Sequence, residues 1–256
     1  MKKTLQYYDL LKKQFFGSDY VALAAAILAD MVESEQVEGL VDKAKQLYDK
    51  MKKEHPLLTS KEDSVYAVLM AASQRDEAEL IQEAEECYRL LKERFSSSND
   101  VQAVAHVLAI AEGTAQEKCS KITALYDELK AKDLNYGKNQ ELVILASLSL
   151  LPGAKEAFAE DIQAVDTFLA EQKGYGLLGL DKKTRLMHAA MIVSTDYCTS
   201  NQLYAEAMAG TVSTLTAQQV SVCALQVSFA LLVAQQAALC AVLAASALAV
   251  NAANHN

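Results

Sequence analysis

An eight-residue block occurs five times along the chain, and this recurrence restricts the possible folds more than any other feature of the sequence. LYDKMKKE at 47–54 is matched by YYDLLKKQ at 7–14, CYRLLKER at 87–94, LYDELKAK at 125–132 and, eroded, VDTFLAEQ at 165–172. Aligned on the aromatic, the copies place Tyr8, Tyr48, Tyr88, Tyr126 and then Asp166 in register, with steps of 40, 40, 38 and 40 residues. A period in this range marks a helical array, in which each unit is too small to bury its apolar face alone and stacks on its neighbours. Two prolines, nine glycines and no strand-like alternation in 256 residues leave helix as the consistent state throughout.

Each period reads as a pair of helices. The first is amphipathic: Val37, Leu40, Val41, Ala44, Leu47, Tyr48 and Met51 recur at helical spacing, with Lys43, Lys45, Asp49 and Lys50 elsewhere. The second is apolar on nearly every side, as in VALAAAILA from Val21, VYAVLMAA from Val65, VAHVLAIA from Val104, LVILASLSLL from Leu142 and LMHAAMIV from Leu186. Such helices require cover all round. Helix starts are expected at Ser18 or Asp19, a Thr59/Glu62 capping box, the Ser98–Asp100 cluster, Asn139 and Asp181.

After Glu206 the last 50 residues contain no Asp, Glu, Lys or Arg. Residues 227–250 are long enough for a membrane span, but Gln235 and Gln236 at the centre, Ala in place of Leu and the lack of flanking cations argue against one. A helical segment that covers the inner helices, or an oligomer surface, fits this composition better. The expected architecture is a single all-α domain over 1–256, with five helical hairpins in 1–200 forming a right-handed, solenoid-like array. An uncharged, Ala-rich C-terminal segment, 201–256, packs on that array.

A net charge of −9 excludes a broad positive footprint for nucleic acid. Cys87, Cys119, Cys198, Cys223 and Cys240 form no CxxC pair, and no secretory signal opens the chain, which together point to the cytoplasm. GYGLLG at 174–179 matches G-x-G-x-x-G but joins two helices instead of a strand and a helix, so it reads as a turn. Just beyond it Lys182, Lys183 and Arg185 lie in the first turn of a helix. Gly174, Gly176, Lys182, Lys183 and Arg185, with His188 and His106 on apolar helices, are therefore the candidate ligand or anion site. As single histidines without a partner at i+3 or i+4, His106 and His188 otherwise read as hydrogen-bonded core residues. Glu83, Glu85 and Glu86 read as a solvated face, and the repeated tyrosines as packing between units. No catalytic or metal motif is visible, so no catalytic residue, metal or cofactor is assigned.

The stretches HPLLTSKED (55–63), EECYRLLKERF (85–95), AHVLAIAEG (105–113), EQKGYG (171–176), RLMHAAMIVSTDY (185–197) and AQQAALCA (234–241) resemble a Gram-positive bacterial family known as a domain of unknown function, number four thousand and three. The resemblance implies an all-helical protein with at least one further helical unit upstream, and it brings no activity or catalytic residue. The expected function is a non-catalytic cytosolic interaction protein that binds a protein partner or a second copy of itself. The alternative is a binder or enzyme for a small apolar or anionic molecule, held between the inner helices and the C-terminal segment.

Overall fold

The computed structural model describes residues 2–199 apart from 33, 74, 112, 137–140, 152 and 176–179. Among these residues the chain is all-α. Its ten helices are α1 (Lys2–Gln14), α2 (Asp19–Met31), α3 (Val37–Glu54), α4 (Asp63–Ala72), α5 (Glu77–Lys92), α6 (Ser98–Ile110), α7 (Ala115–Ala131), α8 (Glu141–Ser149), α9 (Lys155–Ala170) and α10 (Lys182–Thr199). The uncharged segment 201–256, with the covering and membrane readings attached to it, lies outside the described residues. Among the described residues no helix is long and apolar enough to cross a membrane.

Two kinds of contact hold the helices together. Each odd-numbered helix packs on the even-numbered helix that follows it: α1 on α2, α3 on α4, and so on to α9 on α10. Odd helices also pack on successive odd helices from α1 to α9, and even helices on successive even helices from α2 to α10. The odd helices bury one stripe, such as Val37, Val41, Ala44, Leu47 and Met51 of α3, or Leu80, Ala84, Cys87 and Leu91 of α5. The even helices are sunk far deeper: α4 is buried from Asp63 through Ala71, and α6 buries Val101, Gln102 and all of Val104 to Ile110. Burying a side chain of this size contributes about 1.5–3 kcal/mol relative to exposure, so the even row carries most of the apolar stabilisation.

The helix starts follow the expected chemistry in part. Ser18 caps α2, its Oγ accepting from the Val21 N–H at 3.4 Å, and Asp76 caps α5 through the N–H groups of Ala78 and Glu79. Thr59 and Glu62, however, form no capping box. Instead α4 starts at Asp63, whose Oδ2 accepts from the Ser60 N–H at 2.7 Å, and the Thr59 hydroxyl turns away to donate to the Met51 carbonyl at 3.1 Å. The reciprocal box occurs at Thr114 and Glu117, at the start of α7, in a stretch whose polarity alone reads as a connector.

Candidate functional site

The residue that follows each repeated block lies at the tip of a hairpin and reaches the next unit. Phe15 meets Tyr48 edge-on at 5.5 Å, His55 meets Tyr88 at 4.6 Å, and Phe95 meets Tyr126 edge-on at 5.1 Å. The ladder stops at the fourth step, where Asp133 follows the block and Asp166 stands in the tyrosine position. At the same tips two large apolar side chains face solvent: Phe16 is 86% exposed and Leu57 98% exposed. An open groove of roughly 670 Å3 is lined by His55, Gln82, Glu85, Tyr88, Arg89 and Lys92 among others. Its walls are ordered by internal bonds. His55 Nε2 lies 3.0 Å from both Glu85 oxygens, Arg89 pairs with Glu86 at 2.6 Å, and Lys92 donates to the Ser96 carbonyl at 2.8 Å. The groove thus combines the Tyr88 and His55 rings with side chains of both charges.

The candidate anion residues of the fifth pair are engaged mostly with residues outside the candidate set. Gly174 takes a φ of +102°, a left-handed conformation that glycine adopts without strain, and its carbonyl accepts from Leu180 N–H at 2.8 Å. Gly176 lies outside the described residues. The start of α10 is capped from within: Asp181 Oδ1 accepts from the Thr184 N–H at 2.8 Å, and that bond holds the carboxyl below its usual range. Lys182 reaches the Asp133 carbonyl at 3.5 Å, and Lys183 is exposed beside it. Arg185 makes a forked pair with Asp166, Nε to Oδ1 at 2.8 Å and Nη2 to Oδ2 at 3.1 Å, so the residue that replaces the fifth tyrosine has a specific partner. His188 Nδ1 is hydrogen-bonded to the Tyr175 hydroxyl at 2.6 Å, and burial lowers the histidine's pKa.

His106 belongs to a different cluster, at the junction of α4, α6 and the loop before α4. Asp63, Gln102, His106 and Thr59 are each no more than 4% exposed. Gln102 Nε2 donates to Thr59 Oγ1 at 3.0 Å, and because that hydroxyl is spent on the Met51 carbonyl, the orientation of the amide is fixed. Among the described residues, Gln102 Oε1 and His106 Nδ1 are then buried with no hydrogen-bond partner, so this nitrogen departs from the expectation of a satisfied core histidine. His106 Nδ1 stands 3.7 Å from Asp63 Oδ1, too far for a hydrogen bond. Burial pushes Asp63 up to about 7 and His106 down to about 3. Nearby, burial and then the charges of Asp63, Glu62 and Asp100 push the Tyr66 phenol up.

A second buried polar group ties α5 to α7. Lys118 is 2% exposed, and its ammonium lies 2.7 Å from Glu83 and donates to the Ala111 carbonyl at 2.9 Å. Glu83 therefore does not belong to a solvated face, although Glu86, paired with exposed Arg89, does. Cys87 and Cys119 are free and buried against each other, Cys119 Sγ lying 3.8 Å from the Cys87 carbonyl. Among the described residues no three or more His, Cys, Asp or Glu side chains stand together as a metal cluster.

The sequence pattern places Gly174, Lys182, Lys183, Arg185 and His188 in one region. It contains no signal that Arg185 would be taken by Asp166, and none for the groove, whose walls come from two periods. The ring ladder was within reach of sequence reasoning, because Phe15, His55 and Phe95 follow the block at the same offset. Compared with known proteins, residues 1–221 match the model of a family described as "Protein of unknown function (DUF4003)". No curated protein and no solved structure matches the chain.

Proposed function

The chain belongs to the DUF4003 family, and from that premise we propose that it is a non-catalytic helical-repeat protein of the cytoplasm that holds a protein partner. The observation that carries this reading is the double row of packing, odd helix on odd helix and even on even, combined with pairing within each hairpin. That pattern is what five stacked hairpins in one solenoid-like domain produce, and such arrays serve as extended binding surfaces. The partner surface is the edge of hairpin tips bearing Phe16 and Leu57, continued by the groove over Tyr88. Exposed apolar side chains together with an ordered, mixed-charge groove supply the apolar anchors and polar rim of a protein interface.

The test compares the full chain with a Phe16→Ser, Leu57→Ser double variant, both substitutions being at exposed positions and neutral for folding. Affinity capture should return a partner, or a second copy of the chain, with the parent and lose it with the variant. Equal capture by both would remove the tips from the interface, and no capture by either would overturn the interaction reading. The small-ligand alternative needs a cavity against residues 201–256, and no observation among the described residues favours it.

A further inference from the structure

We propose that Asp63, His106 and Gln102 form a buried site for a single zinc-type divalent cation, placed between α4 and α6. The inference starts from two orphans. Among the described residues, His106 Nδ1 and Gln102 Oε1 are buried and without hydrogen-bond partners, in side chains one turn apart on the same face of α6. Buried polar atoms are satisfied in the great majority of cases, so two orphans beside a buried carboxylate call for an occupant. A water could serve two acceptors as donor. With Asp63 ionised and the His106 proton on Nε2, a carboxylate oxygen, an imidazole nitrogen and an amide oxygen each offer a lone pair, the combination a cation satisfies at once.

The chemistry of the set narrows the ion. An imidazole ligand is poor for alkali and alkaline-earth cations and good for zinc and its neighbours, while carboxylate and amide oxygens are compatible with them. Ligands at about 2.0–2.1 Å from a tetrahedral ion sit roughly 3.3 Å from one another. The 3.7 Å between Asp63 Oδ1 and His106 Nδ1 needs only a few tenths of an ångström of adjustment. The outer contacts that orient ligands are present. Ser60 N–H holds Asp63 Oδ2, so that Oδ1 is the oxygen beside His106, and the Thr59 hydroxyl, itself bound to the Met51 carbonyl, holds the Gln102 amide. Glu62 and Asp100 add negative field at this end of the even helices. Three protein ligands leave a fourth position on the ion. The ion would join the start of the second inner helix to the third, adding to the bonds from Gln102 to Thr59 and from Asn99 to Glu62.

The experiment uses the full chain, stripped with a chelator, desalted and titrated with zinc by calorimetry, with cobalt as a spectroscopic stand-in. The expected result is one equivalent of zinc bound, a midpoint of thermal unfolding that rises with zinc concentration, and the visible absorption of four-coordinate cobalt. His106→Gln and Asp63→Asn should each weaken binding at least about tenfold, the lower end of what losing even an outer partner costs. His255→Gln should leave stoichiometry and affinity unchanged. Far-UV circular dichroism of the metal-free variants separates a lost site from a lost fold. If the wild-type chain takes up no zinc or cobalt, or a crystal grown with zinc shows only a water between these three side chains, the proposal is overturned. Either outcome leaves the partner-binding reading untouched.

Discussion

Asp166 shows how one residue can change the role of a repeated position. In four units the position is a tyrosine; in the fifth it is a carboxylate, 7% exposed, that accepts both N–H groups of the Arg185 fork. Asp166→Ala leaves a largely buried guanidinium without its partner, and equilibrium urea unfolding should show a loss of about 3 kcal/mol. Asp166→Asn should cost less, because the amide oxygen keeps one of the two bonds. His188 provides the pH dependence. Burial depresses its folded-state pKa, so the stabilisation is present above the unfolded value of about 6.5 and is lost as the pH falls, when the unfolded chain takes up the proton first. Stability measured between about pH 7 and pH 5 should therefore decline less steeply in His188→Gln than in the parent chain.

At the level of elements, the blocks that identify the repeat are also the joints between units. Just beyond each of the first three odd helices a side chain lies on the tyrosine of the next odd helix, through Phe15 and Tyr48, His55 and Tyr88, and Phe95 and Tyr126. Edge-to-face aromatic pairs contribute about 0.5–1.5 kcal/mol beyond the area they bury. A double-mutant cycle on Phe95→Leu and Tyr126→Leu should return a coupling of about 1 kcal/mol, and a coupling near zero would reduce the ladder to simple burial. Arg94 adds its guanidinium over the Tyr126 ring at 5.4 Å and pairs with Asp127, so this joint is polar at its rim and apolar within. Lys118 and Glu83 do the same work one step inward, between α5 and α7, where the ammonium is almost wholly enclosed.

For the whole molecule, the main helix–helix packing among the described residues runs from each unit to the next, so substitutions in the first and fifth pairs fall in separate parts of the core. Leu11 of the first pair and Ile162 of the fifth are both buried, at 1% and 0% exposure. Leu11→Ala and Ile162→Ala should each cost about 2–5 kcal/mol. The double variant should equal their sum within about 0.5 kcal/mol as long as unfolding remains all-or-none. A broad or stepwise transition in the double variant would instead show the two ends unfolding separately. The period, the all-helical class and the division into half-buried and fully buried helices are legible in the chain alone, because they rest on the spacing of apolar residues within single helices: Val37, Val41, Ala44 and Leu47 declare a stripe whatever they face. Cap chemistry is legible only where the competing bonds are local, as at Ser18, and fails at Thr59, whose hydroxyl is drawn to Met51 and Gln102 across the fold. The pairing of Arg185 with Asp166, the burial of Lys118 against Glu83, and the meeting of His106 with Asp63, which lies 43 residues earlier, join side chains from different helices. Local periodicity records which face of a helix is apolar; it does not record which partner a polar atom meets there, and that was decided by how neighbouring helices pack.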